Sequence, residues 1–253
     1  MSDSRTYRDG DKFVKVYLSA PYEYVEQAYQ RQKFVYDAGL FIPAVYGIKR
    51  LSETEIALEM EYFEGEPLVS MYEGKGEEKL LEAMRIMVKL QCQMSAIDAN
   101  GLPALTDFYK NEIMSASYLT AELKEKILDD MNRLDKGKTN LCHGDIHPYN
   151  IMYNEDKYWI IDWEDASKGD PAADACMQHF YSIRRSAAKD KECDEQYLQL
   201  FCEESGIARE DVLAWLPVIA GVQINLTDDE DPDGEDRAFM LSYIEKWYNQ
   251  RTY

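Results

Sequence analysis

The first quarter of the chain carries short apolar runs separated by turn residues, a pattern typical of β-strands. Residues 12–18, KFVKVYL, alternate in character and predict a strand that follows a turn around Gly10. The segment 21–38 starts with proline, ends before glycine and predicts a helix. Two more strands are predicted at 45–51 and 54–62. These elements indicate a small β-rich region that contains one helix.

Beyond residue 67, apolar residues recur three and four positions apart, which indicates helices. A short hairpin interrupts this pattern, with strands at 151–153 and 157–161 and a turn at 154–156. The predicted helices cover 77–97 and 121–134, and others begin near 171, 190, 211 and 235. This part of the chain is therefore expected to be a mainly helical bundle.

The segment 63–67, FEGEP, separates the two patterns. Glycine and proline directly after a strand favour a linker. The sequence thus predicts an α+β protein with two lobes, a β-rich N-lobe over residues 1–63 and a larger, mainly helical C-lobe over residues 64–253.

The net charge limits the possible partners. The chain has 28 basic and 48 acidic residues among 253, a formal net charge of -20. Such a charge repels nucleic-acid phosphates and anionic membranes, so neither is an expected partner. Two interpretations of the acidity stay open. It serves solubility, or part of the field attracts a cationic small-molecule substrate.

The cysteines and the first residues bear on the cellular compartment. The segment MSDSRTYRDGD is polar and does not resemble a signal peptide, and no apolar run reaches the length of a membrane span. A cytoplasmic protein is therefore expected. The five cysteines are scattered without a CxxC pair, which favours neither a disulfide framework nor a zinc site. They are Cys92, Cys142, Cys176, Cys193 and Cys202.

The candidate chemistry lies in residues 143–162, HGDIHPYNIMYNEDKYWIID. Asp145 and Asn150 are five positions apart, the spacing of the kinase catalytic loop H-R-D-x-x-x-x-N. Phosphoryl transfer needs a carboxylate that orients and deprotonates the attacking hydroxyl, together with oxygen ligands for Mg²⁺. Asp145 is the predicted base. Asn150, and Asp162 at the end of an apolar strand, are the predicted magnesium ligands.

The segment HGDIHPYNIM followed by IIDWEDASKGDPAADACM resembles the aminoglycoside phosphotransferase and choline kinase group of kinase-like enzymes. The similarity extends to VKVYL, GLFIPAVYG and EMEYFEGEPL elsewhere in the chain. The resemblance implies a two-lobed protein-kinase-like fold, ATP or GTP as donor, Mg²⁺ as cofactor, and a hydroxyl of a small molecule as acceptor. It leaves open the acceptor, the choice of nucleotide and the oligomeric state.

The resemblance also implies how a nucleotide is held. Lys15 resembles the lysine that contacts the α- and β-phosphates, and Glu26 on the first helix is its expected partner, with Glu23 as a second option. Relatives have a strand and a glycine-containing loop ahead of the lysine strand. Only fourteen residues precede Lys15, so the N-lobe is expected to be truncated at its first strand. The purine ring is expected at the hinge residues Glu61, Tyr62 and Phe63.

Other residues are assigned supporting roles. His143 resembles the residue that braces the catalytic loop, and Asp174 resembles an aspartate that steadies it. Asp170 and Pro171 predict a helix start, because aspartate caps free amides and proline suits the first helical position. Trp163 stands where many relatives have phenylalanine. The acidic candidates for contacting a cationic acceptor are Glu164, Asp165, Asp228 and Asp229.

The sequence also leaves three alternatives to a small-molecule kinase to be weighed. A pseudokinase would bind a nucleotide or ligand without transferring phosphate, and the short N-lobe favours it. His143 and His147 have the spacing of a zinc-binding HExxH helix, but Gly144 and Pro148 oppose a helix and the glutamate is absent. A protein kinase is disfavoured, because no Ala-Pro-Glu follows Asp162.

Overall fold

The computed structural model describes residues 4–155, 157–186, 191–227 and 234–250. The strands in this part of the chain are β1 Ser4–Asp9, β2 Lys12–Leu18, β3 Val45–Arg50, β4 Glu55–Glu61, β5 Glu66–Pro67, β6 Asn140–Cys142, β7 Ile151–Asn154, β8 Lys157–Ile160 and β9 Ser167–Gly169. The helices are α1 Tyr22–Asp37, α2 Glu77–Ser95, α3 Leu105–Ser115, α4 Ala121–Leu134, α5 Pro171–Ser186, α6 Lys191–Ser205, α7 Arg209–Leu213, α8 Leu216–Leu226 and α9 Glu235–Gln250. The protein is therefore α+β, as predicted.

The chain forms two compact units. The first comprises Met1–Met87 and Asp145–Ser167, and the second comprises Val88–Gly144 and Lys168–Tyr253. These bounds differ from the predicted division between residues 63 and 64. The physical reason is strand pairing, because β5 pairs with β7 and so draws the segment after Asp145 into the first unit.

The first unit contains a four-stranded antiparallel sheet with the strand order β1-β2-β4-β3. Lys15 lies in the middle of β2, opposite Thr6 of β1 and Leu58 of β4. Side chains alternate between the two faces of a strand. Tyr17 therefore shares a face with Lys15, and it packs in a buried cluster with Leu58 and with Val25 of α1. This packing places α1 against the face that carries Lys15.

Strand β1 was not predicted, because its sequence SRTYRD is polar and all six residues are exposed. Its order comes from backbone pairing with β2 along its whole length. The predicted turn is present, with Gly10 in the left-handed region at φ 64°. The N-lobe was expected to be truncated at its first strand, whereas the structure has a strand, β1, directly ahead of the lysine strand and joined to it by this short turn.

A second sheet in this unit has the order β5-β7-β8. Strands β7 and β8 form the predicted hairpin, in which Ile151 pairs with Ile160. Asp156, in the predicted turn, lies outside the described residues. Because β8 ends at Ile160, the hairpin delivers the next residues, Ile161 and Asp162, to the site described below.

The second unit is mainly helical and is organised around α8. All residues from Leu216 to Ile224 are buried, and helices α3, α4, α5 and α9 pack around them. At Gly221 a Cβ atom would lie 3.1 Å from Ile127 Cδ1, so glycine permits the close approach of α4. Helix α3 was not predicted. None of the described helices combines the length and apolar character needed to cross a membrane.

We expect Ile219→Ala to lower the free energy of unfolding by about 2–5 kcal/mol, because a buried side chain would be replaced by a cavity. Ile219 is fully buried in α8, whereas Leu226 at the end of the same helix is exposed. The control Leu226→Ala should cost less than about 0.5 kcal/mol. Urea unfolding followed by circular dichroism measures both values, and equal losses would contradict the buried position of α8.

Candidate active site

Lys15 lies beside two carboxylates that follow strand β8. Its Nζ atom is 3.0 Å from Asp162 Oδ1 and also contacts the carboxylate of Glu164. The Lys15 side chain is only 18% exposed. Burial alone would lower the pKa of Lys15, but the charges of Asp162 and Glu164 raise it above its ordinary value. Lys15 is therefore a fixed cation at this position.

Asp162 has an unusual backbone conformation, with φ 65° and ψ 61° in the left-handed region. Few residues other than glycine adopt this region, although aspartate does so more often than most. The conformation is supported by Trp163, whose buried indole N–H donates to the Ile160 carbonyl at 2.9 Å. The Asp162 side chain stays 43% exposed, so its carboxylate is accessible to a ligand.

Glu164 is held by four groups from the sheet and helix α1. Its carboxylate accepts hydrogen bonds from the hydroxyls of Tyr17 and Tyr24, the latter at 3.1 Å, in addition to its contact with Lys15. Burial and the charge of Glu164 raise the pKa of Tyr17, so this hydroxyl stays protonated and acts as the donor. The Arg31 guanidinium donates to the main-chain carbonyl of Glu164.

These contacts correct two expectations. Glu164 was predicted to contact an acceptor, but its carboxylate is occupied by Lys15 and two tyrosines. Glu26 was predicted to pair with Lys15, but Glu26 is exposed on α1 and the carboxylates beside Lys15 are those of Asp162 and Glu164. The reason is the orientation of α1: its buried face carries Val25, Ala28 and Gln32, and Glu26 lies on the exposed face.

The predicted base and metal ligand lie together in the loop before β7. The Asn150 side-chain amide donates to the Asp145 carbonyl at 3.0 Å and lies 3.5 Å from Asp145 Oδ2. The N–H of Ile161 donates to the Asn150 carbonyl at 2.9 Å. Since Ile161 directly precedes Asp162, this hydrogen bond brings the Asn150 loop beside the strand end that carries Asp162.

His147 is a further neighbour of Asp145 that sequence reasoning missed. Its Nε2 is 3.4 Å from Asp145 Oδ2, and its Nδ1 accepts the N–H of Tyr149 at 3.2 Å. An Nδ1 acceptor places the imidazole proton on Nε2, facing the carboxylate. No spacing rule predicts this contact, because the loop is irregular.

In the described ranges no group of three His, Cys, Asp or Glu side chains is arranged to hold a metal ion.

The backbone just before Asp145 is braced within the second unit. The buried carboxylate of Asp174 accepts the N–H of Gly144 at 2.8 Å and the amide of Gln91 at 3.3 Å. Burial raises the pKa of Asp174, and the bond from Gly144 and the nearby His143 counteract this in part. His143 is itself fully buried, and Gly144 has a φ of 86°, which favours glycine.

The remaining predicted residues have more peripheral positions. Asp170 caps α5 by accepting the N–H of Ala172 at 2.9 Å, and it also pairs with Lys138 at 2.8 Å. Asp165 is exposed. Asp228 and Asp229 lie outside the described residues.

The predicted hinge follows β4. The N–H groups of Glu61 and Tyr62 donate to the carbonyls of Ala44 and Asp11, at 2.8 and 2.9 Å. The Arg8 guanidinium lies 3.9 Å from the centre of the Tyr62 ring. Next along the chain, Phe63 stacks on Trp159 of β8, with ring centres 4.5 Å apart. These contacts join Tyr62 to β1 and Phe63 to β8.

The fold is kinase-like, and Lys15, Asp145 and Asp162 all lie in the first unit. A sequence model of the phosphotransferase enzyme family matches residues 2–215, and the chain belongs to this family. It is accordingly a small-molecule kinase that acts on hydroxyl groups. A search of curated protein sequences found no match.

Solved structures share the fold at low sequence identity. A thermostable mutant of aminoglycoside phosphotransferase APH(4)-Ia, in complex with AMP-PNP and hygromycin B, is 18% identical with a TM-score of 0.67, covering 99% of this chain and 94% of its own. Aminoglycoside-3'-phosphotransferase of type VIII is 17% identical with a TM-score of 0.60, covering 87% and 89%. The enzyme APH(3'')-Id from Streptomyces rimosus, with ADP and streptomycin, is 17% identical with a TM-score of 0.62, covering 85% and 87%.

We expect Asp174→Ala to lower the free energy of unfolding by about 2–4 kcal/mol, because the N–H of Gly144 and the buried amide of Gln91 would lose their acceptor. The control Asp129→Ala, at an exposed position of α4, should change it by less than about 0.5 kcal/mol. Thermal and urea unfolding of both variants measure the difference. An Asp174→Ala protein as stable as the control would show that the brace is dispensable.

Proposed function

We propose that the protein transfers the γ-phosphoryl group of ATP or GTP to a hydroxyl of a small cationic molecule in a magnesium-dependent reaction. The observation that carries the proposal is the Asn150 carbonyl bonded to Ile161, which joins the Asp145 loop to the end of β8, where Asp162 contacts Lys15. A base, two oxygen ligands and a cation for phosphate thereby belong to one local framework.

Asp145 would act as the base. Its carboxylate, 30% exposed, accepts the proton of the acceptor hydroxyl as the oxygen attacks the γ-phosphorus, and the nucleoside diphosphate leaves with the electrons of the broken P–O bond. Asn150 and His147 contact the same Oδ2 atom and orient the carboxylate. Lys15 supplies positive charge for the nucleotide phosphates.

The residues of this region fit Mg²⁺, which prefers hard oxygen ligands. Asn150 and Asp162 would hold it. The amide nitrogen of Asn150 donates to the Asp145 carbonyl, so the amide oxygen is the end left for a metal. When bound, Mg²⁺ supplies charge neutralisation at the phosphate oxygens.

The purine ring would lie between the hinge and the face of β2 that carries Lys15. The N–H groups of Glu61 and Tyr62 are already bonded, whereas that of Phe63 has no main-chain partner among the described residues. It is therefore the hinge donor offered to the base. Phe13 precedes Lys15 by two residues and shares its face, about 7 Å away along the strand. Its half-buried ring is placed to stack on a purine.

Two observations support the choice of nucleotide and acceptor class. Two of the structural neighbours were determined as complexes, one with AMP-PNP and hygromycin B and the other with ADP and streptomycin. The formal charge of -20 favours a cationic acceptor over an anionic one. Of the described acidic candidates, Asp165 keeps this proposed role, because it is exposed.

The proposal is tested by replacing the base. We expect Asp145→Asn to reduce turnover about 10²–10⁴-fold, because general base catalysis is lost, while Mg-AMP-PNP still raises the melting temperature. The assay follows nucleotide consumption with aminoglycosides, amino sugars and choline-like alcohols. Asp107→Asn, exposed on α3, is the control. Unchanged turnover in Asp145→Asn would contradict the assignment, and nucleotide binding without turnover of any acceptor by the unaltered protein would favour a pseudokinase.

The base-stacking role of Phe13 gives a separate prediction. Phe13→Ala should raise KM for the nucleotide about tenfold, because one aromatic stack is lost. Phe13→Tyr should restore most of the affinity. Tyr7→Ala is the matched control, because Tyr7 lies opposite Val14 and so on the other face of the sheet. Equal KM values for Phe13→Ala and Tyr7→Ala would place the purine elsewhere.

A further inference from the structure

We propose that Glu164, and not a glutamate of helix α1, is the positioning residue that holds Lys15 for the nucleotide phosphates. Helix α1 then acts on Lys15 indirectly, through Tyr24 and Arg31. This inference rests on the proposed function, since it concerns how the phosphate-binding lysine is placed. It assigns Glu164 a role that differs from the acceptor contact its acidity suggests.

The contact between Lys15 and Glu164 is the better shielded of the two ion pairs. Both side chains are nearly buried, with 18% and 19% exposed, whereas Asp162 is 43% exposed. A buried ammonium group needs a carboxylate partner, because desolvation of an unpaired charge is costly. Glu164 meets this requirement on the protein side of Lys15.

Asp162 cannot be the lasting partner of Lys15 under the proposed function. Its carboxylate is the accessible one, and it would be engaged by Mg²⁺ once the nucleotide binds. Glu164 then becomes the carboxylate that keeps Lys15 in place while the ammonium group contacts phosphate.

Glu164 is itself fixed at both ends. Tyr17 and Tyr24 donate to its carboxylate, and Arg31 donates to its main-chain carbonyl. Such contacts limit the rotamers of the glutamate and direct it at Lys15. Tyr24 and Arg31 belong to α1 and are seven positions apart, two helical turns, so they lie on the same side of the helix.

Helix α1 offers no carboxylate of its own at this place. Glu23 and Glu26 are exposed. The buried polar residue of the helix is Gln32, and its amide donates to the Pro43 carbonyl at 3.1 Å. The helix therefore supplies hydroxyl and guanidinium donors, and the acid comes from the segment after β8.

The test compares steady-state kinetics and stability of several variants of the full chain. Glu164→Gln keeps the shape of the side chain and removes its charge. It should raise KM for Mg-ATP about tenfold, as expected for losing one charge-assisted hydrogen bond, and leave KM for the acceptor within about twofold. Glu53→Gln, in the exposed turn before β4, is the control for a lost surface charge.

Two further variants separate positioning from folding. Tyr24→Phe leaves the Lys15 contact intact and removes one donor to Glu164, so the nucleotide KM should rise by about threefold. If Glu164→Gln does not fold, Tyr24→Phe decides the question. A double-mutant cycle of Lys15→Met and Glu164→Gln, followed by urea unfolding, should show strongly non-additive shifts of the midpoint.

Several outcomes would overturn the proposal. These are a wild-type nucleotide KM in a folded Glu164→Gln or in Tyr24→Phe, additive midpoint shifts in the cycle, and a KM increase in Glu26→Gln with none in Glu164→Gln. The last result would indicate that Glu26 of α1 is the partner of Lys15. If the unaltered protein phosphorylates no acceptor and binds no nucleotide, the proposed function fails, and the double-mutant cycle still decides the Lys15–Glu164 pairing.

Discussion

The requirement to neutralise one poorly solvated ammonium group, that of Lys15, governs much of the first unit. An unpaired buried cation would be too costly, so carboxylates must be brought to it from residues about 150 positions further along the chain. The contact of Lys15 with these carboxylates requires three elements. The four-stranded sheet holds β2, the hairpin β7–β8 ends just before Asp162, and α1 packs against the face of the sheet that carries Lys15. The ion pair therefore connects the sheet, the hairpin and the helix.

Much of this architecture could be predicted from the sequence, because the signals are local. The strand at Lys12–Leu18 and the helix at Ala121–Leu134 follow directly from the spacing of their apolar residues, and the D-x-x-x-x-N spacing marks Asp145 and Asn150. Strand β1 has no such signal, since its six exposed residues are ordered only by pairing with β2.

The partners of Lys15 could not be predicted in the same way. Either Glu26 or Glu164 could lie beside Lys15 in a kinase-like fold. Which of them pairs with it depends on which face of α1 is buried and on the conformation of the chain after β8. The left-handed residue at Asp162 turns the chain so that Glu164 meets Lys15 and Tyr17. Such a turn is a tertiary property, because no short pattern in the sequence specifies it.

The indole hydrogen bond of Trp163 restricts how the chain can diverge. A phenylalanine at this position fills a similar volume but has no donor, so the Ile160 carbonyl would need another partner at the end of β8. A homologue with phenylalanine at the position of Trp163 is therefore expected to carry a compensating hydrogen-bond donor near that carbonyl, so that the two positions change together.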